Sequence, residues 1–367
     1  MSMKERKFLL LMKVYTNYQI KIVTTVNNII NLSFVEDVHY GVVNVKNTAS
    51  YEFNYYNGEY AKITIICKYL HTNFKIYIKE HEIPIKQLHM NAQLKITFME
   101  DMQKMYNLVE YNNDYEPAIF YGLMTNDDIT VLEKNKSLKI IIWIGGDINY
   151  LINRSDSVAK NIKANVDRIL KIPKVKHISI SSFISNSLIN LRLPFKMVPF
   201  MGIDFSKYKP IQKGPSIYLY TAIGAEKYYG IDMYAKLIEK YKHINFIVTC
   251  CWLSYQEIIK NPKIDKYGTK YYTKEELINN VYPKCFIGLR LTDHDGLSAT
   301  VQELGLMGIK CVHNGSSPST LNYKTFEDIC QHIDSESLTI GKKDVELSET
   351  VSKYLTIDPK FFNSTYH

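Results

Sequence analysis

The stretch Cys285-Phe-Ile-Gly-Leu-Arg-Leu-Thr-Asp-His-Asp-Gly-Leu-Ser-Ala-Thr-Val-Gln-Glu-Leu304 reads as strand, polar loop and helix in immediate succession. Cys285 to Leu289 is a short apolar run of buried-strand type. The loop Asp295-Gly296-Leu297-Ser298 then enters a helix whose interior holds Glu303. The first turn of a helix carries unpaired backbone N–H groups and the positive end of the helix dipole, which together suit an anion. Gly296 has no side chain to keep a ligand phosphate from the backbone. Glu303 lies two turns into the helix, and a carboxylate there accepts hydrogen bonds from a pair of vicinal hydroxyls such as a ribose supplies.

Upstream and downstream of this stretch the same alternation recurs. Ala118-Ile-Phe-Tyr121 reads as a strand, and Asn126 to Glu133 as a short helix with Asn126 as its cap. Lys139-Ile-Ile-Ile-Trp-Ile144 is a buried strand running into Gly145-Gly146-Asp147. Residues 156–171 place Val158, Ile162, Val166, Ile169 and Leu170 on one helical face. His177 to Ser181 and Lys196 to Phe200 read as strands, with a helix from Ser182 to Leu191 between them. Turn formers without apolar period fill 202–215, and a second alternating unit follows. Its strands are Ser216 to Tyr220, Asn245 to Thr249, Cys285 to Leu289 and Lys310 to His313; its helices include Gly230 to Tyr241, a start capped at Thr273, and Ala299 to Met307. Strand and helix alternating at this spacing predict α/β architecture with parallel sheets. Two Rossmann-like domains facing a cleft are therefore expected: residues 1–205, residues 206–344, and a C-terminal segment 345–367 packing back on the first. Lys62 to Cys67 and Phe74 to Lys79 read as strands, but the first hundred residues show no clear alternation of strand and helix.

A chain of 367 residues suits two domains rather than one core. Its 46% hydrophobic and 22% charged residues are those of an ordinary globular protein and exclude collagen-like, disordered and low-complexity classes. The net charge of +8 is unevenly spread: residues 151–213 hold twelve Lys or Arg against three Asp, while 101–150 hold four against eight acids. The basic segment suits phosphates, an acidic acceptor, an anionic membrane surface, or simply a solvated helix face. The six cysteines form no C-x-x-C pair, as expected of a reducing compartment. The apolar run Phe8 to Met12 is too short to span a bilayer, so a cytoplasmic protein without a transmembrane segment is expected.

On these residues the chain resembles the retaining GT-B glycosyltransferases of family four. Their donor motif, E-G-x-G/P-x-x-x-x-E, is similar to the run from Asp295 through Gly296 to Glu303, with Asp in place of the first Glu. Leu304-Gly-Leu-Met-Gly-Ile-Lys-Cys-Val312 is similar to the run that follows it in the family. Gly224-Ala-Glu-Lys-Tyr-Tyr-Gly230 resembles the family's R-x-x-x-x-K-G element, with Thr221 or Ala222 where its arginine stands. Gly202-Ile-Asp-Phe-Ser-Lys-Tyr-Lys-Pro210 is similar to the hinge. The resemblance covers roughly residues 177–315. It implies transfer from a nucleotide-sugar, a UDP- or GDP-sugar foremost, with retention and without a cofactor or divalent metal. Lys227 and Arg290 would neutralise the diphosphate and Asp295 would hold a sugar hydroxyl, making these three the catalytic candidates. Gly296, Leu297 and Ser298 would cradle the phosphates or sugar, Glu303 would hold the ribose, Tyr272 would lie near the base, and His294 would touch the sugar. A glycan, glycolipid or glycoprotein would be the acceptor, with the basic helix at 160–176 available for peripheral membrane contact.

Other readings stay open at this point. Asp293-His294-Asp295 spells D-x-D, an array that ligates Mg²⁺ or Mn²⁺ in a different glycosyltransferase fold. Gly145-Gly146-Asp147 either reaches the cleft or forms a tight turn capped by Asp147. A nucleotide-sugar or glycan-binding protein without catalysis, or a nucleic-acid base glucosyltransferase, would share most of these features.

Overall fold

The computed structural model describes residues 84–148, 158–249, 272–292 and 295–362, and before them seven strands within 6–81; for those strands and for 158–164 only the backbone is described. The seven strands are β1 (Arg6–Lys13), β2 (Asn17–Thr24), β3 (Ile30–Val35), β4 (Tyr40–Val45), β5 (Ser50–Tyr55), β6 (Tyr60–Cys67) and β7 (Phe74–His81). They form two antiparallel sheets, ordered β1-β6-β3-β4 and β5-β2-β7. This corrects the expectation for the first eighty residues, which pair antiparallel, mostly between strands distant in sequence, rather than winding as a Rossmann-like unit. Consecutive strands are separated by only three to six residues, which leaves no room between them for the crossover helix of parallel winding.

Parallel structure begins at β8 (Gln87–His89) and continues through β9 (Val109–Glu110), β10 (Ala118–Tyr121), β11 (Lys139–Trp143), β12 (Val175–Ser179) and β13 (Phe195–Met197). The sheet order is β13-β12-β11-β10-β8-β9, every pair parallel. Every residue of β10 and β11 is buried, as expected for strands covered on both faces. A helical run, Ala92–Leu94, a π-helical Lys95–Met99 and Glu100–Tyr106, joins β8 to β9. Helices α1 (Asn126–Lys134), α2 (Val158–Lys171) and α3 (Ser182–Asn190) follow β10, β11 and β12. The cap of α1 is Thr125, one residue before the Asn126 expected: its backbone is extended, and it exchanges hydrogen bonds with Asp128 in a capping box. Ser181, read as the end of a strand, caps α3 by accepting the Ile184 N–H.

The second sheet comprises β14 (Ser216–Tyr220), β15 (Asn245–Thr249), β16 (Cys285–Leu289), β17 (Lys310–Val312) and β18 (Thr320–Leu321), ordered β15-β14-β16-β17-β18 and again wholly parallel. Helices α4 (Ile231–Lys240), α5 (Ala299–Leu306), α6 (Phe326–Ser337) and α7 (Val345–Leu355) accompany it. The strand order reverses at β14, whose neighbours are β15 and β16. In open α/β sheets the ligand crevice lies at the carboxyl ends of strands at such a switch.

The two parallel layers share one buried cluster. It runs from Ile85 and Phe120 in the first, through Leu297 and Val301, to Leu355 and Phe361 at the C-terminus. The linking segment is anchored on the first layer: Lys104 pairs with Asp204 at 2.6 Å, Lys207 pairs with Asp101, and the Asp204 N–H donates to Asp101. Helix α7 lies against α5, where Ser348 donates to the Leu306 carbonyl. Beyond it the Phe362 carbonyl accepts the Ile85 N–H at 2.6 Å, and the Phe361 ring stacks on Phe200.

Candidate functional site

At the end of β16 the chain places Arg290, 8% exposed, directly beside the end of β14. Its guanidinium carbon lies 4.0 Å from the Tyr220 ring centre and 4.8 Å from that of Tyr229. Two aromatic faces and one carboxylate compensate the buried cation: Asp295 accepts from Nε at 2.5 Å. Burial alone would raise the Asp295 carboxyl, but the Arg290 charge and hydrogen bond hold it below the usual range. The same partnership raises Arg290 against the opposing effect of burial. Next to it the Thr221 hydroxyl, 1% exposed, has no hydrogen-bond partner among the described residues. These groups sit at the switch point of the second sheet, at its carboxyl edge.

Across from Arg290 begins α5. Ser298 caps it by accepting the Val301 N–H, and the Gly296 N–H donates to Asp295. The N–H groups of Leu297, Ser298, Ala299 and Thr300 have no acceptor among the described residues, which leaves four donors around one helix start. The loop before the helix presses on the first layer. A Cβ on Gly296 would stand 2.5 Å from the Ile144 carbonyl oxygen, so no other residue fits. Gly145 meets Gly296 from the other side at φ +104, a conformation that L side chains rarely adopt.

Glu303, 4% exposed, accepts the Tyr282 hydroxyl on Oε2 at 2.9 Å. Lys274 Nζ stands 3.7 Å from Oε1, buried, without a hydrogen-bond partner, and 5.0 Å from the centre of the Phe98 ring of the first layer. The Tyr208 hydroxyl faces the same carboxylate without reaching hydrogen-bond geometry; burial, then the Glu303 charge, raise it. Glu303 thus already has protein neighbours, while Oε1 and Lys274 Nζ leave a gap that one hydroxyl would bridge.

The structure brings Arg290, Asp295, Gly296, Leu297 and Ser298 together at one edge and sets Glu303 on the following helix. Lys227 is exposed on the loop between β14 and α4, with no ion pair among the described residues. Asp147 is 0% exposed and accepts N–H groups from Leu123, Ile144, Gly145 and Ile148. Its carboxylate is spent on the turn that carries Gly145 and Gly146, and burial raises it to about 6 despite those bonds. Tyr272 is half-buried just ahead of the Thr273 capping box. Asp293 and His294 lie outside the described residues, so the D-x-D array is represented by Asp295 alone. Sequence reasoning missed Lys274, which reads as an ordinary first-turn lysine, and Tyr220 and Tyr229, which carry no motif. A tyrosine ending one strand beside an arginine ending its neighbour was the available signal.

No protein-family profile and no curated protein matches the sequence. Solved structures are similar to it at low identity. A sucrose-phosphate synthase from Thermosynechococcus elongatus aligns with TM-score 0.49 and 11% identity over 70% of this chain and 72% of its own. A glycosyltransferase from Rickettsia africae aligns with TM-score 0.48 and 12% identity over 74% and 80%. TarM of S. aureus, in complex with UDP and alpha-GlcNAc-glycerol, aligns with TM-score 0.47 and 12% identity; the chain spans 56% of its length. By its own topology the chain is an α/β protein with two parallel layers, its candidate site lying where they meet.

Proposed function

We propose that this protein is a glycosyltransferase that takes a nucleoside-diphosphate sugar as donor, a UDP- or GDP-sugar, and transfers the sugar with retention of configuration and without a metal requirement. The observation that carries the reading is the buried Arg290 at the sheet's switch point beside a helix start, that of α5, whose four N–H groups have no acceptor among the described residues. A diphosphate between them would take charge-assisted hydrogen bonds worth about 1.5–3 kcal/mol each. Those bonds strengthen as the glycosidic bond breaks and charge gathers on the leaving diphosphate, which is electrostatic catalysis. Lys227, exposed two residues before the Tyr229 that flanks Arg290, would close on the diphosphate as a second cation. The ribose would bridge Glu303 Oε1 and Lys274 Nζ, and Tyr272 would neighbour the base. A glycan, glycolipid or glycoprotein acceptor would enter from the first layer. Among the described residues no helix is long and apolar enough to cross a membrane.

A thermal-shift series with UDP, GDP, ADP and TDP and their sugars, with and without Mn²⁺ or EDTA, tests the reading. One nucleotide should stabilise the protein, EDTA should leave the shift unchanged, and Glu303→Ala should abolish it. Stabilisation by no nucleotide would sink the assignment. One observation favours a second reading, a nucleotide-sugar-binding protein without turnover: the Asp295 carboxylate is engaged by Arg290 rather than free for a sugar. Donor binding without hydrolysis or transfer on any acceptor would select it.

A further inference from the structure

Behind the Asp295 loop and beside α5 lies a cavity of about 30 Å³ walled by Ser181 and Ser182 of the first layer and Asp295, Ser298, Gln302 and His313 of the second. On such a measure a water needs roughly 10–15 Å³, so there is room for about two oxygen atoms.

Two of its walls are side chains with one polar atom committed and one left over. His313 is 2% exposed, and its Nδ1 lies 3.1 Å from the Arg290 carbonyl. A carbonyl only accepts, so the proton is on Nδ1 and Nε2 presents a lone pair. Burial first, against the opposing pull of Asp295, lowers the imidazole's pKa and keeps that lone pair available near neutrality. Nε2 has no partner among the described residues, and its ring edge stays open because position 315 is glycine. A Cβ at Gly315 would stand 3.3 Å from Nε2.

Gln302 is 1% exposed. Its Oε1 is placed 2.7 Å from Ser317 Oγ, Ser317 Oγ lies 3.1 Å from Ser319 Oγ, and Ser319 Oγ lies 3.1 Å from the Val301 carbonyl oxygen. Each hydroxyl has one proton. Ser319 can pass its proton to Ser317 instead of to Val301, and Ser317 donates to the Gln302 carbonyl oxygen. The Gln302 amide NH2 then has no partner among the described residues and is a spare donor at the cavity wall. The cavity so combines acceptors, the Asp295 carboxylate and His313 Nε2, with donors, the Gln302 amide and the lining residues Ser182 and Asn314. Groups that both donate and accept, namely hydroxyls, fit this pattern.

We propose that this cavity reads two hydroxyls on the edge of the donor's sugar ring, with Gln302 and His313 as the residues that determine which sugar is accepted. The proposal rests on the nucleotide-sugar reading above and adds the substrate class: a sugar with two neighbouring free hydroxyls, as in an unmodified hexose. A deoxy or O-acylated sugar at those positions leaves the acceptors unpaired and is rejected.

Calorimetric titration with UDP, GDP and their hexose conjugates tests it in wild type, Gln302→Leu and Gly315→Ala. The quantity read is the ratio of the diphosphate's Kd to that of its sugar conjugate. Both variants should lower this ratio about tenfold while leaving the Kd of the diphosphate itself unchanged, which also reports that they are folded. Gly315→Ala tests His313 by shielding Nε2 without removing the ring. A ratio unmoved in both variants, with diphosphate binding intact, would overturn this inference alone. Failure of wild type to bind any diphosphate would overturn the nucleotide reading, and this one with it.

Discussion

Asp295 is the residue at which this chain departs from the motif it resembles, and the structure gives the departure a physical content. A glutamate has one more methylene to carry its carboxylate past the loop. Aspartate, rooted beside Gly296, is within hydrogen-bond reach of Arg290 Nε and holds that cation in place between Tyr220 and Tyr229. The pair is internally neutral, so under the proposed function a diphosphate would compete with Asp295 for the guanidinium. Asp295→Asn should therefore bind a nucleoside diphosphate several-fold more tightly, because the freed charge turns to the ligand, while sugar transfer falls by about 100-fold or more with the loss of the carboxylate. Calorimetry and a transfer assay on the same preparation check the two directions; weaker diphosphate binding would mean that Asp295 positions Arg290 rather than competing for it.

At the scale of elements, most strands and helices of the two parallel sheets were legible in the sequence, because short apolar runs bounded by turn formers are what doubly covered strands require. The cap at Thr273 and the helix after Ser298 were equally plain. Other elements were not. The helical run from Ala92 to Tyr106 contains a π-helical stretch, which breaks the 3.6-residue period by which a helix is recognised. Helix α6 hides its purpose in a polar sequence. Its Glu336, 5% exposed, takes Lys213 at 3.2 Å and Lys310 at 2.8 Å, joining the linker, β17 and the helix. No periodicity announces such a triad. Glu336→Gln leaves Lys213, 3% exposed, as an uncompensated buried cation, and should cost about 3–5 kcal/mol in urea unfolding. Replacing the solvent-exposed Glu327 as a control should change almost nothing. Strands β11 and β12 carry a pH signature of the same kind. Trp143 donates to His177 Nδ1, and burial lowers His177 to about 4. Its folded pKa lies below the unfolded value of about 6.5, so the stability it contributes is complete above pH 6.5 and is lost as pH falls toward 4. Wild type should lose roughly 3 kcal/mol more than His177→Asn over that window, read from denaturant midpoints at pH 7 and pH 4.

The molecule as a whole is joined at more points than its two sheets suggest. Part of the candidate site's geometry was legible in the sequence because one end of it is local: a loop, a glycine and a helix start. What surrounds it is assembled from distant parts of the chain, as with Phe98 under Lys274 or Ile144 against Gly296, and no single-sequence pattern encodes those contacts. The C-terminal segment shows the same long-range logic. Helix α7 packs on α5, the helix that opens the site, and the chain then returns to the first layer, where Phe361 is fully buried beside Phe200 and Phe362 lies 4.8 Å from the Tyr106 ring. The tail therefore ties the layer that would receive the acceptor to the helix that would hold the donor. A shared core predicts shared unfolding: scanning calorimetry should show a single cooperative transition for the two parallel layers. Phe361→Ala removes a ring from the middle of that tie and should cost about 3–5 kcal/mol. If the tie is what couples the layers, the variant's transition should also broaden or split in two, and addition of the stabilising nucleotide should raise only the later component. A single sharp transition that merely moves to lower temperature would show instead that the contacts around Gly296 and Lys274 suffice to hold the layers together.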